Sequence, residues 1–281
     1  MQRQASEADL FWLNMRDILA GFGVPPVSAL SGLLTVALHQ PATRFATQLA
    51  ALDQLVALHG LPAGSHWIVQ QLAERLVVRG PQPPPTGPLL VLANHPGLLD
   101  ACALLTAIGR SDLRFLAVPR PFLRALPNIA NAVIPVGESA AQRGAALRTA
   151  ARHLRDGGAL LTFPAGQIEP DPRISADAEA SLAHWSGSLD LLVRLAGNAT
   201  VVPAIVGGVI APAALRHPIV YLRRNAADRR WLAAIWQLLW PRLGRTTVHV
   251  RFGAALPSTT PHISAHVVAT AAQLIREIRH Q

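Results

Sequence analysis

The segment Asn94-His95-Pro96-Gly97-Leu98-Leu99-Asp100 sets a potential base and a carboxylate five positions apart, directly after the apolar run Leu89–Ala93. A neutral imidazole can take a proton from an alcohol near pH 7. It needs a partner that fixes its tautomer and stabilises the imidazolium as it forms. Asp100 can serve through the other ring nitrogen, by the logic of a catalytic triad without its serine. On one straight helix, residues five apart point about 140° away from each other. Direct contact therefore needs a bend, and Pro96-Gly97 provides a place for one. A His-x4-Asp spacing alone is a weak signal. Its position after an apolar strand strengthens it, because ligand sites in open α/β sheets lie at the carboxyl ends of strands.

A second segment, Phe163-Pro164-Ala165-Gly166-Gln167, also follows an apolar run. A Pro-x-Gly turn can bring backbone N–H groups toward a developing oxyanion, and Gly166 marks where such donors would lie. Glu169 and Asp171 follow on a Pro-rich stretch and read as a solvated loop before they read as acceptor contacts. No Gly-x-Ser-x-Gly elbow occurs, so no serine acyl-enzyme is signalled. Cys102 reads as a core residue rather than a nucleophile. The 11 His are scattered without paired ligand spacing, so no metal site is expected.

The elements around these segments alternate. Leu89–Ala93, Leu113–Val118, Ala132–Val136, Ala159–Phe163, Thr200–Val206, Ile219–Leu222 and Thr247–Phe252 read as strands. Asp100–Ile108, Ala140–Asp156, Leu182–Ala196 and Val267–Arg279 read as helices. This order predicts an α/β fold with a mostly parallel central sheet flanked by helices. Residues 7 to 79 read as helices, with Trp67–Val78 the last of them. The run 80–88 holds five prolines (Pro81, Pro83, Pro84, Pro85, Pro88) and cannot continue a helix. The expected organisation is an N-terminal helical region (1–79), a Pro-rich linker (80–88) and a catalytic domain (89–281).

Composition narrows the classes. Hydrophobic residues are 51% and charged residues 15% of 281, which excludes a disordered chain and suits a large core. The net charge is +9 and no lysine is present. That bias reflects codon usage or an affinity for anions such as phospholipid head groups or the phosphates of coenzyme A. Nucleic acid is not an expected partner, since aromatics are only 5% and no RNA-binding or zinc-finger motif occurs. The single cysteine excludes an internal disulfide. Glu7, Asp9 and Asp17 interrupt the start, so it does not read as a secretory signal.

Taken together, the segments resemble the glycerolipid (lysophospholipid) acyltransferase superfamily, whose members carry Asn-His-x4-Asp followed later by Phe-Pro-Glu-Gly. The matching residues are Asn94, His95 and Asp100, then Phe163-Pro164-Ala165-Gly166, and then the Pro-centred strand Val201-Val202-Pro203-Ala204-Ile205. Trp185-Ser186-Gly187 resembles the segment leading into that strand. The resemblance covers about residues 88–255. It implies an O-acyltransferase in which His95 deprotonates an acceptor hydroxyl and Asp100 orients it, the donor being acyl-CoA or acyl carrier protein. No resident cofactor is implied. Asn94, Gly97, Phe163, Pro164, Ala165, Gly166 and Gln167 are the implied substrate-side residues.

Two departures bear on the acceptor. Ala165 replaces the usual Glu, as in a hemolysin-like, ornithine-lipid-type branch, so the acceptor is a glycerolipid or an ornithine-type or other non-glycerol lysolipid. The family's acceptor-phosphate Arg is missing from Val133–Ser139. Arg143 is the nearest replacement, with Arg120 or Arg124 the others, and each also reads as a solvated surface Arg. A thioesterase, or a membrane-binding protein on this fold with little activity, are the rival functions.

Lipid contact has three candidate surfaces. Leu19–Gln40 is uncharged and interrupted by Pro25-Pro26, which suits shallow insertion. Trp231–Trp240 carries three Trp bracketed by Arg and reads equally as an interfacial anchor or a core helix. The N-terminal helices are the third. Leu195–Leu215 reads as strand and turn rather than a span. The expected location is the cytoplasmic face of a membrane, held peripherally. Nothing in the sequence sets an oligomeric state.

Overall fold

The computed structural model describes residues 6–185 and 188–279. Eight strands form one sheet: β1 (Arg75–Arg79), β2 (Leu89–Ala93), β3 (Leu113–Ala117), β4 (Val133–Pro135), β5 (Ala159–Thr162), β6 (Thr200–Gly207), β7 (Thr247–Phe252) and β8 (Leu256–Pro257). Their order is β1-β7-β6-β2-β5-β3-β4, with β8 also against β6. All pairs are parallel except β6 with β7 and with β8.

The helices are α1 (Glu7–Phe22), α2 (Ala29–Ala37), α3 (His39–His59), α4 (Leu61–Leu72), α5 (Asp100–Ile108), α6 (Pro121–Arg124), α7 (Pro127–Ala130), α8 (Ala140–Arg155), α9 (Ser188–Ala196), α10 (Pro212–Arg216), α11 (Ala226–Leu239) and α12 (Ile263–Arg279). Helix α1 starts on a capping box between Ser6 and Asp9.

β2 lies at the centre, and each of its residues is fully buried. Alternation along the strand sorts its side chains between two layers. Leu89, Val91 and Ala93 join an apolar cluster with α1, α3, α4, α5 and α11. Leu90 and Leu92 face a second cluster with α8, α9 and α12. From β2 the chain passes over β5 to β3 on one side, and later crosses from β5 to β6 on the other. That reversal opens a crevice at the carboxyl ends of β2, β5 and β6.

Four expectations need correction. Helix α4 ends at Leu72, and Arg75–Arg79 is a strand, not helix. Val77 and Val78 favour an extended chain, and the edge of β7 captures the segment in parallel register. As a result the run 80–88 does not divide two bodies, because β1 before it lies in the same sheet as β2 after it. The run is also pinned: Arg110 donates to the carbonyls of Pro84 and Gly87, and Gln82 to that of Ala107. Third, Pro218–Leu222 is a 3₁₀ turn rather than a strand, begun by Pro218 with His217 accepting from the Ile219 N–H. Fourth, the helix expected over Leu182–Ala196 is a 3₁₀ turn (Ala180–His184) and the separate α9.

Candidate active site at the carboxyl ends of β2, β5 and β6

Three loops meet in the crevice, each leaving the end of its strand. His95 lies two residues beyond β2. The backbone bends at Pro96-Gly97 and enters α5 at Asp100, which brings Asp100 Oδ2 to 2.8 Å from His95 Nδ1. The same oxygen accepts the Gly97 N–H at 2.9 Å, and Oδ1 accepts the Ala101 N–H at 2.7 Å. Asp100 is fully buried (0% exposed), while 28% of the His95 side chain stays open. A buried carboxylate satisfied by three donors holds the imidazole in one orientation. Gly97 is needed here: a Cβ would lie 2.8 Å from the Val209 side chain.

Asn94 fixes the strand end. Its Nδ2 donates to the Val206 carbonyl at 2.9 Å, and its Oδ1 accepts the Val206 N–H at 2.7 Å. This side chain is buried and makes both bonds with one residue of β6, so it works as a clamp between strands.

From β5, Phe163 stacks on the imidazole with ring centres 4.6 Å apart. Pro164 is half-buried and Ala165 packs against the second apolar cluster. Gly166 sits at φ +63°, and its N–H closes a turn onto the Phe163 carbonyl. That N–H is engaged within the turn. Gln167 is exposed.

Glu169 and Asp171 correct the reading of a solvated loop, since each is only 1% exposed. Glu169 Oε2 accepts the His95 N–H at 2.9 Å, and the Glu169 N–H donates to the His95 carbonyl. Its other oxygen accepts from Trp185 Nε1 and Ser181 Oγ. Ser186 and Gly187, the rest of the Trp185 segment, lie outside the described residues. Asp171 gathers the N–H groups of Arg173, Gly208, Val209 and Ile210, which shapes the loop after β6. Apart from the nearby Arg173 N–H, these two carboxylates find their partners only through tertiary pairing.

The charges act together on His95. Burial penalises its imidazolium, but the Asp100 carboxylate, their hydrogen bond and Glu169 outweigh it, with Arg120 opposing, so its pKa lies above 6.5. Burial raises the pKa of Glu169, against donation from Trp185, the His95 N–H and Ser181. Burial pushes the Cys102 thiol up to about 12.

Of the three replacement arginines, Arg124 is exposed at the end of α6, while Arg120 is within electrostatic reach of His95 and its guanidinium sits 5.2 Å from the Trp231 ring centre. Arg143 is exposed and donates to the Glu138 carbonyl at the start of its own helix. Leu98 and Leu99 border a cavity of only about 10 Å³ with Leu72 and Leu238, room for about one water and not for an acyl chain. No group of metal-ligating side chains occurs among the described residues.

No protein-family model matches the chain, and no curated protein does. Among solved structures, the 1-acyl-sn-glycerophosphate (LPA) acyltransferase PlsC from Thermotoga maritima is similar, with a TM-score of 0.52 at 13% identity. The match covers 98% of this chain and 99% of that one. At that identity the likeness is one of fold, and it takes in the N-terminal helices as well as the sheet: the chain has the α/β fold of that acyltransferase.

Proposed function

We propose that this protein is an O-acyltransferase that moves a fatty acyl group from acyl-CoA or acyl carrier protein to a hydroxyl of a (lyso)glycerophospholipid or glycerol phosphate. The observation that carries this reading is the 2.8 Å bond between His95 Nδ1 and Asp100 Oδ2 at a strand end, in a chain with an acyltransferase fold. An ionised carboxylate only accepts, so Nδ1 carries the proton and Nε2 keeps its lone pair. Nε2 removes the proton of the acceptor hydroxyl. The oxygen attacks the thioester carbonyl carbon, and its C=O opens to an oxyanion. When the carbonyl reforms, the C–S bond breaks and sulfur leaves with the proton from the imidazolium. The products are an ester and a thiol, and His95 returns neutral. No cofactor enters the scheme.

Arg120 is the proposed contact for an acceptor phosphate, given its reach to His95. The methyl group of Ala165, packed into the apolar layer, keeps a second acceptor class in play: an ornithine-type or other non-glycerol lysolipid.

Peripheral attachment to the cytoplasmic face of a membrane is part of the proposal. Its support is α2 and the turn before it, where Val27, Leu30, Leu33 and Val36 are 95%, 52%, 66% and 77% exposed. Within the helix, the spacing of three between Leu30, Leu33 and Val36 places an apolar stripe along one side. Trp231, Trp236 and Trp240 instead pack against the core, Trp236 against Trp240 at 4.0 Å, which favours the core reading of that helix. No helix among the described residues is long and apolar enough to cross a membrane.

The test is thiol release from acyl-CoA, with products read by mass spectrometry, for wild type and His95→Ala. Acylated glycerol phosphate or lysophosphatidic acid from wild type alone supports the reading. Acylated ornithine-type lysolipid alone moves the acceptor. Release without any acceptor indicates a thioesterase. Equal lipid binding by both proteins with no release from either leaves only a binding protein.

A further inference from the structure

We propose that the cleft between the start of α11 and the loop 171–175 binds a phosphate monoester. The cleft has a volume of about 230 Å³, and Arg229, Arg230, Tyr221 and Ser175 are among the side chains that line it. Ile174 and Leu215 give it an apolar wall.

The charges in this cleft do not balance internally. Arg110, Arg223, Arg251 and Arg276 each pair with a carboxylate. Among the described residues, neither Arg229 nor Arg230 has such an ion pair. Arg229 lies 5.1 Å from the Tyr221 ring centre, and its Nε donates to the Arg223 carbonyl. Arg230 is half-buried, and its Nε is buried with no hydrogen-bond partner. Asp171 also borders the cleft, but four backbone N–H groups already occupy its carboxylate. Asp177 acts on Arg230 only through its field. Burial lowers the Arg230 pKa despite that field.

Two arginines lining one cleft suit an anion with close to two negative charges and several acceptor oxygens. A phosphate monoester has both properties, and guanidinium forks match its oxygens. Ser175 adds a hydroxyl on the opposite wall, and the apolar side chains can cover the ester's carbon part. Such a group occurs on glycerol phosphate, on the nucleotide end of coenzyme A and as free phosphate. The inference stands apart from acyl transfer at His95, since it uses none of the residues that would perform it.

Tyr221 is the only tyrosine in the chain, so a 3-fluorotyrosine label gives one ¹⁹F resonance at this cleft. The labelled protein is titrated at fixed ionic strength with inorganic phosphate, sn-glycerol 3-phosphate and adenosine 3′,5′-bisphosphate. A saturable shift is expected in wild type and, at the same affinity, in His95→Ala. Arg229→Gln and Arg230→Gln are each expected to weaken binding by about tenfold or more, the loss expected for one charged hydrogen bond. Arg230→Lys, which keeps the charge, should lose less. Circular dichroism melts identify any variant that fails to fold, and the other Arg variant then carries the test. Tightest binding of the glycerol ester points to a lipid head, and of the nucleotide to coenzyme A. Equal binding of all three points to free phosphate. The proposal is overturned if no probe gives a saturable shift, or if the folded double variant Arg229→Gln/Arg230→Gln binds as wild type does. Loss of acyl transfer in His95→Ala with phosphate binding intact would leave both readings standing. Phosphate binding in a protein that never transfers an acyl group would overturn only the first.

Discussion

Glu169 grips the backbone of His95 from both sides: its Oε2 accepts the His95 N–H at 2.9 Å, and its own N–H donates to the His95 carbonyl at 2.8 Å. The two bonds join the loop after β2 to the loop after β5. They also place a second buried carboxylate beside an imidazole that already has Asp100. Geometry and charge at His95 therefore depend on a residue 74 positions away.

That dependence sets the pH profile. A general base works only when unprotonated, so the rate should fall on the acid side as His95 takes a proton, with a midpoint above its ordinary 6.5. Glu169→Gln keeps an acceptor for the His95 N–H but removes a charge that favours the imidazolium. The acid limb of kcat/KM should then move to lower pH. An unmoved limb would show that the Glu169 charge does not reach His95. The sign for stability follows from the same shift: a raised folded pKa gives stabilisation that is complete below the unfolded value and lost as pH rises through the folded one.

Asn94 should matter for stability before chemistry. Replacing it with Ala leaves the Val206 N–H and carbonyl without partners in a buried setting. The cost should be about 2–4 kcal/mol. A fall in Tm of roughly 5–10 °C by calorimetry is the expected readout. An unchanged Tm would mean that water or a shifted backbone replaces both bonds.

The two candidate lipid-binding helices should separate cleanly. Leu33→Asp and Val36→Asp alter exposed side chains of α2 and should leave Tm within about 1 °C, as surface substitutions do. They should weaken sedimentation with anionic phospholipid vesicles by tenfold or more, since burial of each apolar side chain contributes about 1.5–3 kcal/mol. Trp236→Ala, by contrast, removes a ring packed against Phe22, His217 and Trp240 and should cost about 3–5 kcal/mol of stability. Equal vesicle binding by wild type and the α2 variants would move the docking surface elsewhere.

Cys102 should be inert in the folded protein. A thiol with a pKa near 12 holds almost no thiolate at pH 8. Iodoacetamide should modify it only after unfolding, as followed by intact mass. Fast modification of the native protein would reopen a covalent acyl-cysteine route.

Much of the fold could be read from local pattern. β2 and α5 match their expected bounds at both ends, Leu89–Ala93 and Asp100–Ile108, because an apolar run stopped by a Pro-Gly turn has few alternatives. β1 could not be read this way. Arg75–Arg79 is short, half-exposed and continuous with a helical pattern, and becomes a strand only because β7 offers an edge. The same holds for the tryptophans of α11. Their spacing fits a membrane anchor and a core helix equally, and the packing of Phe22 and His217 against Trp236 decides between them.

The sequence by itself determined the dyad and its setting: a histidine, a bend and an aspartate after a buried strand, close enough along the chain that a local turn can join them. The tertiary structure alone decided what surrounds the dyad. Glu169, Asp171 and Val206 act across long stretches of chain, through hydrogen bonds that form only once the sheet brings the ends of β2, β5 and β6 together. Local pattern encodes which way a strand or helix faces. It does not encode which distant carboxylate will find which backbone N–H, because that depends on the crossover that places β5 and β6 on either side of β2.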